Sequence, residues 1–354
     1  MGLPEILINF KTSGLTAIER SSRGIVALIL KDSTDVTFDV KEYTSIDEIV
    51  EADYTAANYD YILKTFLGIP SRVIVYRIAS DAANYTAALA ALANKKWNYL
   101  AIPGIETADV ATISTWIKGK RDTDHKTFKA VLPSSVSDHE GIINFTGTGI
   151  VVGATTYTTA QYCARIAGIL AGLALDRSAT YYELSEVDDI TETATPDTDI
   201  DAGKLILVKK TGGTVRIGRA VNSLTTTTAT KGAAFKKIKI IEGVDMVRDD
   251  IHDTFDESYV GKVINSYDNK ILFLAAVNAY FTELERIDVL DPSMDNKAEI
   301  DTEAQRTYLQ AAGVDVTKLS DQQVKEYNTG SKVFALATAK FLDAMEDLTF
   351  TIYM

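Results

Sequence analysis

A single cysteine, Cys163, in 354 residues rules out an intrachain disulfide and, with it, a zinc-ribbon cluster. A reducing assembly compartment fits such a chain. Basic residues are scarce against acidic ones, 36 to 49, giving a net charge of −13. That balance speaks against a nucleic-acid binder, which needs a basic face, and against attachment to an anionic membrane. It also makes identical copies repel at long range. Self-assembly must therefore rest on short-range apolar and backbone contacts, or on local charge patches. Long apolar runs are missing too. The longest, IAGILAGLAL at 166–175, sits between Arg165 and Asp176 and is too short to span a bilayer. The opening MGLPEILINFKTS has no basic region followed by a long apolar stretch, so no signal peptide is expected.

Chemistry-bearing motifs are equally sparse. There is no GxxxxGK[ST] phosphate loop. GTGIVVG at 147–153 has the spacing G-x-G-x-x-x-G and is followed by TTYTTA rather than an immediate helix, so it reads as strand and turn. His125, His139 and His252 have no other His or Cys at ligand spacing. Asp249, Asp253 and Asp256 or Glu257 share one helical stripe, which reads as a solvated face rather than a divalent-metal site. Ser134, Ser135, Asp138 and His139 lie close together without a nucleophile elbow and read as a polar loop. No catalytic constellation emerges, and no cofactor or metal is expected.

What is present divides into two halves. IVALILK (25–31), SRVIVYRI (71–78), NYLAIPG (98–104) and FKAVLP (128–133) read as strands. They alternate with helical stretches: SIDEIVEA with a Ser45–Glu48 capping box, DAANYTAALAALANKK, TADVATISTWIKGK and TTAQYCARIAGILAGLAL. This predicts an α/β layer with a partly parallel sheet. From Glu186 to Asp201 there are seven acidic residues and no basic ones, a solvated loop or linker. KLILVKKTGGTVRIGRAVNSL (204–224) reads as a hairpin around Gly212-Gly213. FKKIKIIEG (235–243) reads as a strand with one charged face, suited to an acidic partner or simply to solubility. Two long amphipathic helices, two short polar helices and a closing strand predict an α+β second half. That closing strand, DLTFTIYM, alternates Leu348, Phe350, Ile352 and Met354 with Thr349, Thr351 and Tyr353, and nothing after it can turn back to pair with it.

Several of these stretches resemble the contractile tail sheath proteins of long-tailed bacteriophages and of phage-tail-like bacteriocins and defective prophages. They are AGILAGLALDRSATYYEL (167–184), GGTVRIGRAVNSLTT (212–226), the helical pair at 244–285, INFKTSGLTAIERSSRGIVALILKD (8–32) and FLDAMEDLTFTIYM (341–354). Residues 33–150 match in general pattern only. The resemblance implies an N-terminal arm (1–20), an outer α/β domain (21–180), an inner α+β assembly domain facing a tube (181–345) and a C-terminal arm (346–354). It implies a structural polymer of this chain, wound helically around an inner tail tube protein and met by baseplate and terminator proteins. Such a polymer is assembled in the bacterial cytoplasm, consumes no nucleotide, and contracts from a metastable extended state. Arms exchanged between subunits would use Ile6, Ile8 and Phe10 at one end and Leu348, Phe350 and Ile352 at the other. The hairpin residues Leu205, Leu207, Val215 and Ile217 are the expected acceptor, because an isolated hairpin has two open edges. The resemblance also implies a tube-facing helix near the C-terminus, here SDQQVKEYNTGSK (320–332) with Lys325, Glu326 and Lys332. The rival readings are a cytoplasmic nucleotide-binding α/β enzyme, disfavoured by the missing phosphate loop, and a tail tube or other virion protein, disfavoured by the helical content.

Overall fold

The computed structural model describes residues 17–18 and 23–354. The expected arm strand with Ile6, Ile8 and Phe10 lies outside the described residues. Two compact units form, one from Ser22–Val247 together with Asp343–Met354, the other centred on Arg248–Leu342. The boundary expected at 180/181 thus falls at 247/248. The reason is packing: Leu205, Leu207, Val215 and Ile217 are buried in the same core as the first strands.

In chain order the larger unit runs β1 (Ile25–Lys31), β2 (Val40–Tyr43), α1 (Ala56–Phe66), β3 (Arg72–Ile78), α2 (Thr86–Leu92), β4 (Tyr99–Ala101), α3 (Thr107–Asp122), β5 (Lys129–Pro133), β6 (Ile142–Phe145), β7 (Thr148–Val152), β8 (Thr155–Tyr157), α4 (Thr159–Gly172), β9 (Asp189–Thr191), α5 (Pro196–Asp201), β10 (Lys204–Leu205), β11 (Leu207–Lys209) and β12 (Val215–Ile217). α6 (Ile238–Ser258) begins in this unit. The main sheet has the order β10-β6-β5-β4-β1-β3-β2, and every pairing is parallel except β2 with β3. Alternation along β1 explains its continuous apolar run. Val26, Leu28 and Leu30 join α1 and α4 in one core, while Ile25, Ala27 and Ile29 join α2 and α3 in another. The unit is therefore a three-layer α/β/α sandwich.

α1 and α4 cross at glycines. A Cβ on Gly168 would lie 2.1 Å from the Thr65 carbonyl oxygen, and one on Gly172 1.8 Å from that of Gly68. The small-residue run in the sequence is thus a helix-contact surface. Gly168→Ala is expected to force the helices apart and cost on the order of 1–3 kcal/mol, read as a lower denaturation midpoint with unchanged slope.

Three expectations change. SIDEIVEA forms two short 3-10 turns, Ile46–Glu48 and Glu51–Asp53, and Glu48 accepts from Thr44 rather than closing a capping box. The true helix follows: Thr55 caps α1 through Asn58, and the Asp32 carboxylate takes the Thr55 and Asn58 donors. FKKIKIIEG is a 3-10 turn leading into α6, because Ile238, Ile241, Glu242 and Asp245 recur at helical spacing and all face inward.

The smaller unit continues with α7 (Tyr267–Arg286), β13 (Lys297–Ile300), α8 (Thr302–Ala311), α9 (Asp321–Glu326) and β14 (Ala335–Thr338). β13 and β14 pair antiparallel, and β13 packs on α7.

Candidate assembly surface

The closing segment makes no strand in this chain. It is fastened at its root and bare beyond. Glu346, its side chain 5% exposed, accepts hydrogen bonds from Thr180 Oγ1 at 2.6 Å and Ser178 Oγ at 3.0 Å, and pairs with Lys237 Nζ at 3.1 Å. Asp343 pairs with Lys237 as well, and Asp347 with Arg219 at 2.5 Å. Burial works against the Lys237 ammonium, but bonds to Asp343 and Glu346 hold its pKa above the ordinary lysine value. The acidic partner expected for the KKIKI cluster is therefore supplied by the same chain. Past this clasp, Leu348, Phe350 and Ile352 are 87, 75 and 72% exposed, and Tyr353 and Met354 are exposed too.

The expected acceptor hairpin does not offer two open edges. Leu205 belongs to β10 and pairs with β6 in the main sheet. Leu207, Val215 and Ile217 lie in the β11–β12 ladder. The outer edge of β12 is filled by residues 181–184: Tyr181 and Leu184 donate to Ile217 and Val215, and Ile217 donates to Tyr182. On the other side, the Lys209 N–H is taken by Glu192. All four apolar side chains are core residues.

An open edge exists instead at β14. The register directs the N–H and C=O groups of Ala335 and Ala337 away from β13, and they have no partner among the described residues. Every residue of β14 is exposed. The far edge of β13 is closed: the Asn278 side chain accepts from the Ala298 N–H at 2.7 Å and donates to the Ala298 carbonyl at 3.0 Å. Nothing in the hydropathy pattern flags an edge; a four-residue strand, ALAT, with Leu336 exposed, is the only signal.

The tube-facing candidates do not form one patch on one helix. Lys325 and Glu326 sit on α9, where Gln322 bonds Glu326, while Lys332 lies after the Gly330 turn and stacks over the Tyr308 ring at 5.2 Å.

The motifs weighed for chemistry are occupied otherwise. GTGIVVG forms β7 and the turn into β8. Asp122, His139 and Glu140 are the one metal-compatible cluster among the described residues. His139 Nδ1 accepts from the Gly141 N–H, which leaves the ring proton on Nε2, facing Asp122 at 3.2 Å. Glu140 is paired with Lys231 at 2.8 Å. The cluster satisfies itself. A larger buried network joins α6 to the sheet. Asp245 takes a two-pronged bond from Arg121 at 2.8 and 3.0 Å and pairs with Lys129 at 2.7 Å. Glu242 pairs with Lys129 at 3.0 Å and Arg23 at 2.8 Å. Burial disfavours both carboxylates, but Lys129 together with Arg121 for Asp245, and with Arg23 for Glu242, holds their pKa values below the ordinary range. No helix among the described residues is long and apolar enough to cross a membrane.

Comparison with known proteins decides the family. The family model of the phage tail sheath protein central domain matches residues 79–223, and that of the phage tail sheath C-terminal domain matches residues 230–354. The tail sheath protein of Clostridium phage phiCD119 is 39% identical, covering 100% of this chain and 99% of that one. This chain belongs to the phage tail sheath family. The sheath fold extends to solved structures. The sheath tail protein from Desulfitobacterium hafniense superimposes with a TM-score of 0.71 at 20% identity, covering 84% of this chain and 94% of that chain. The helical sheath of the anti-feeding prophage in its contracted state gives 0.72 at 13% identity, covering 100% and 99%. The sheath chain is accordingly a structural tail component of mixed α/β fold, and not an enzyme.

Proposed function

We propose that this sheath chain polymerises helically around an inner tube, with its subunits linked by exchanged terminal arms. The extended lattice then shortens to drive the tube through a bacterial envelope. The observation that carries this reading is the C-terminal arm: a root held by a buried carboxylate, then a segment with alternating apolar residues and no charged side chain, exposed along its whole length. A segment of that composition is stable only when something covers it. The β14 edge, rather than the hairpin at 204–219, is the acceptor on this reading. Ala335 and Ala337 share a face with Ala298 and Ile300, their cross-strand partners. An added strand with Leu348 opposite Ala337 and Phe350 opposite Ala335 would bring both side chains onto this face. The contact is heterologous, so it propagates into a filament rather than closing a dimer. An N-terminal strand with Ile6, Ile8 and Phe10 would be the second arm. Lys325, Glu326 and Lys332 are the proposed tube-facing charges, with baseplate and terminator proteins as end partners. Assembly would take place in the bacterial cytoplasm, with no cofactor and no nucleic acid or membrane partner.

Ala337→Pro tests the acceptor. Proline removes the outward N–H and blocks an incoming strand, yet is tolerated on a free edge. The expected result is an unchanged circular dichroism spectrum with no tubes in negative-stain micrographs. Tubes of wild-type length would overturn β14 as the acceptor.

A further inference from the structure

The smaller unit carries an apolar pocket of about 530 Å³. Phe255, Tyr259 and Phe273 form its aromatic floor, with ring centroids 5.0–5.8 Å apart. Val263 and Ile264, 40 and 82% exposed, form its rim, and Val333 is also on its wall. Val333 stands two residues before Ala335, the start of the open edge. Two polar groups on the wall are short of partners. Lys270 is buried, has no carboxylate beside it among the described residues, and reaches only Thr329 Oγ1 at 3.3 Å and Gln305 Oε1 at 3.5 Å. Burial lowers its pKa, as expected for an ammonium with no counter-charge. Asn265 spends its amide donors on Thr329, Gly330 and Lys332, and its Oδ1 is buried without a partner.

We propose that this pocket receives the last residues of a second copy's C-terminal arm, with Ile352 and its neighbours as the apolar plug. The proposal rests on arm exchange at β14 and adds where the arm ends. Length supports it. Residues 348–354 span roughly 23 Å when extended, and the four residues of β14 occupy roughly 13 Å. With Leu348 opposite Ala337, an arm running antiparallel to β14 therefore has residues 351–354 left beyond the Ala335 end, beside Val333. Chemistry supports it too. An extended backbone brings both carbonyls and N–H groups, the two things that Lys270 and Asn265 Oδ1 lack. The arm's exposed Phe350, Ile352, Tyr353 and Met354 match an apolar floor, and no side chain from Leu348 onward is charged. A charged partner would leave that floor unmatched.

Cross-linking tests the assignment, helped by Cys163 being the only native thiol and buried. In tubes assembled from the full chain, Ile264→Cys combined with Ile352→Cys is expected to give a ladder of disulfide-linked multimers on mild oxidation. Val36→Cys, at an exposed site in the larger unit, combined with Ile352→Cys is expected to give none. Tubes that form normally without the first ladder would overturn the pocket assignment and leave arm exchange standing. Normal tubes from a chain lacking residues 348–354 would overturn arm exchange itself. A second measurement does not need tubes. A fluorescent peptide of residues 343–354 is titrated into the full chain, and Ile264→Asp is expected to weaken its binding roughly tenfold or more. Equal binding to both chains would overturn the pocket.

Discussion

A chain ending at Asp347 is expected to fold as a stable monomer and to form no tubes. The clasp at Asp343, Glu346 and Asp347 is kept in this truncation, so the larger unit keeps its ion pairs to the root of the arm. What goes is the exposed closing segment. Its four to six backbone hydrogen bonds in a neighbour would contribute about 1 kcal/mol each. Ordering seven residues costs about 1–2 kcal/mol apiece, so the backbone ladder alone does not hold the arm. Leu348, Phe350 and Ile352, at roughly 1.5–3 kcal/mol each when buried, tip the balance. The loss should therefore be complete, and Phe350→Ala should already shorten the tubes. Circular dichroism and sedimentation report the monomer, and negative-stain microscopy reports the tubes. Tubes of ordinary appearance from the truncated chain would sink arm exchange.

The second large effect lies in the buried ion network. Asp245→Ala leaves the Arg121 guanidinium and the Lys129 ammonium, 7 and 1% exposed, to share Glu242 and a distant Glu140. Removing one partner of such a pair typically costs about 3–5 kcal/mol. The loss should appear as a lower unfolding midpoint in denaturant. Acidity gives an independent check. The folded-state pKa values of Asp245 and Glu242 lie below their ordinary values of 3.8 and 4.5. Their contribution is therefore fully present above those values and is lost as pH falls through the lower folded-state values. The native chain should lose stability steeply below about pH 4, and the Asp245→Ala chain less steeply. Parallel acid limbs for the two chains would show that this network does not set the acid response.

The sandwich was legible because β1, β3, β4 and β5 are short apolar runs bounded by turn residues, and helices lie between them. α6 was misread at its start because Ile238 and Ile240 alternate like a strand; only the inward-facing Glu242 and Asp245 reveal the helical period. α1 was missed because its buried face includes Asn58, Tyr61 and Thr65, polar types that blur an amphipathic stripe. The hairpin sequence was visible, but not that residues 181–184 cover its edge, since a pairing between distant segments leaves no local periodicity. The alternation of Leu348, Phe350, Ile352 and Met354 is readable directly, and these residues are exposed in the structure. The open β14 edge is the least readable, because it is a four-residue strand whose significance lies in which way its backbone points.

The clasp at the arm's root also has a mechanical side. Asp343, Glu346 and Asp347 are tied to three separate stretches of the larger unit: Lys237 before α6, Arg219 after β12, and Ser178 with Thr180 after α4. A pull along the arm therefore loads these bonds together, in shear, and spreads the force through the sandwich instead of peeling one contact after another.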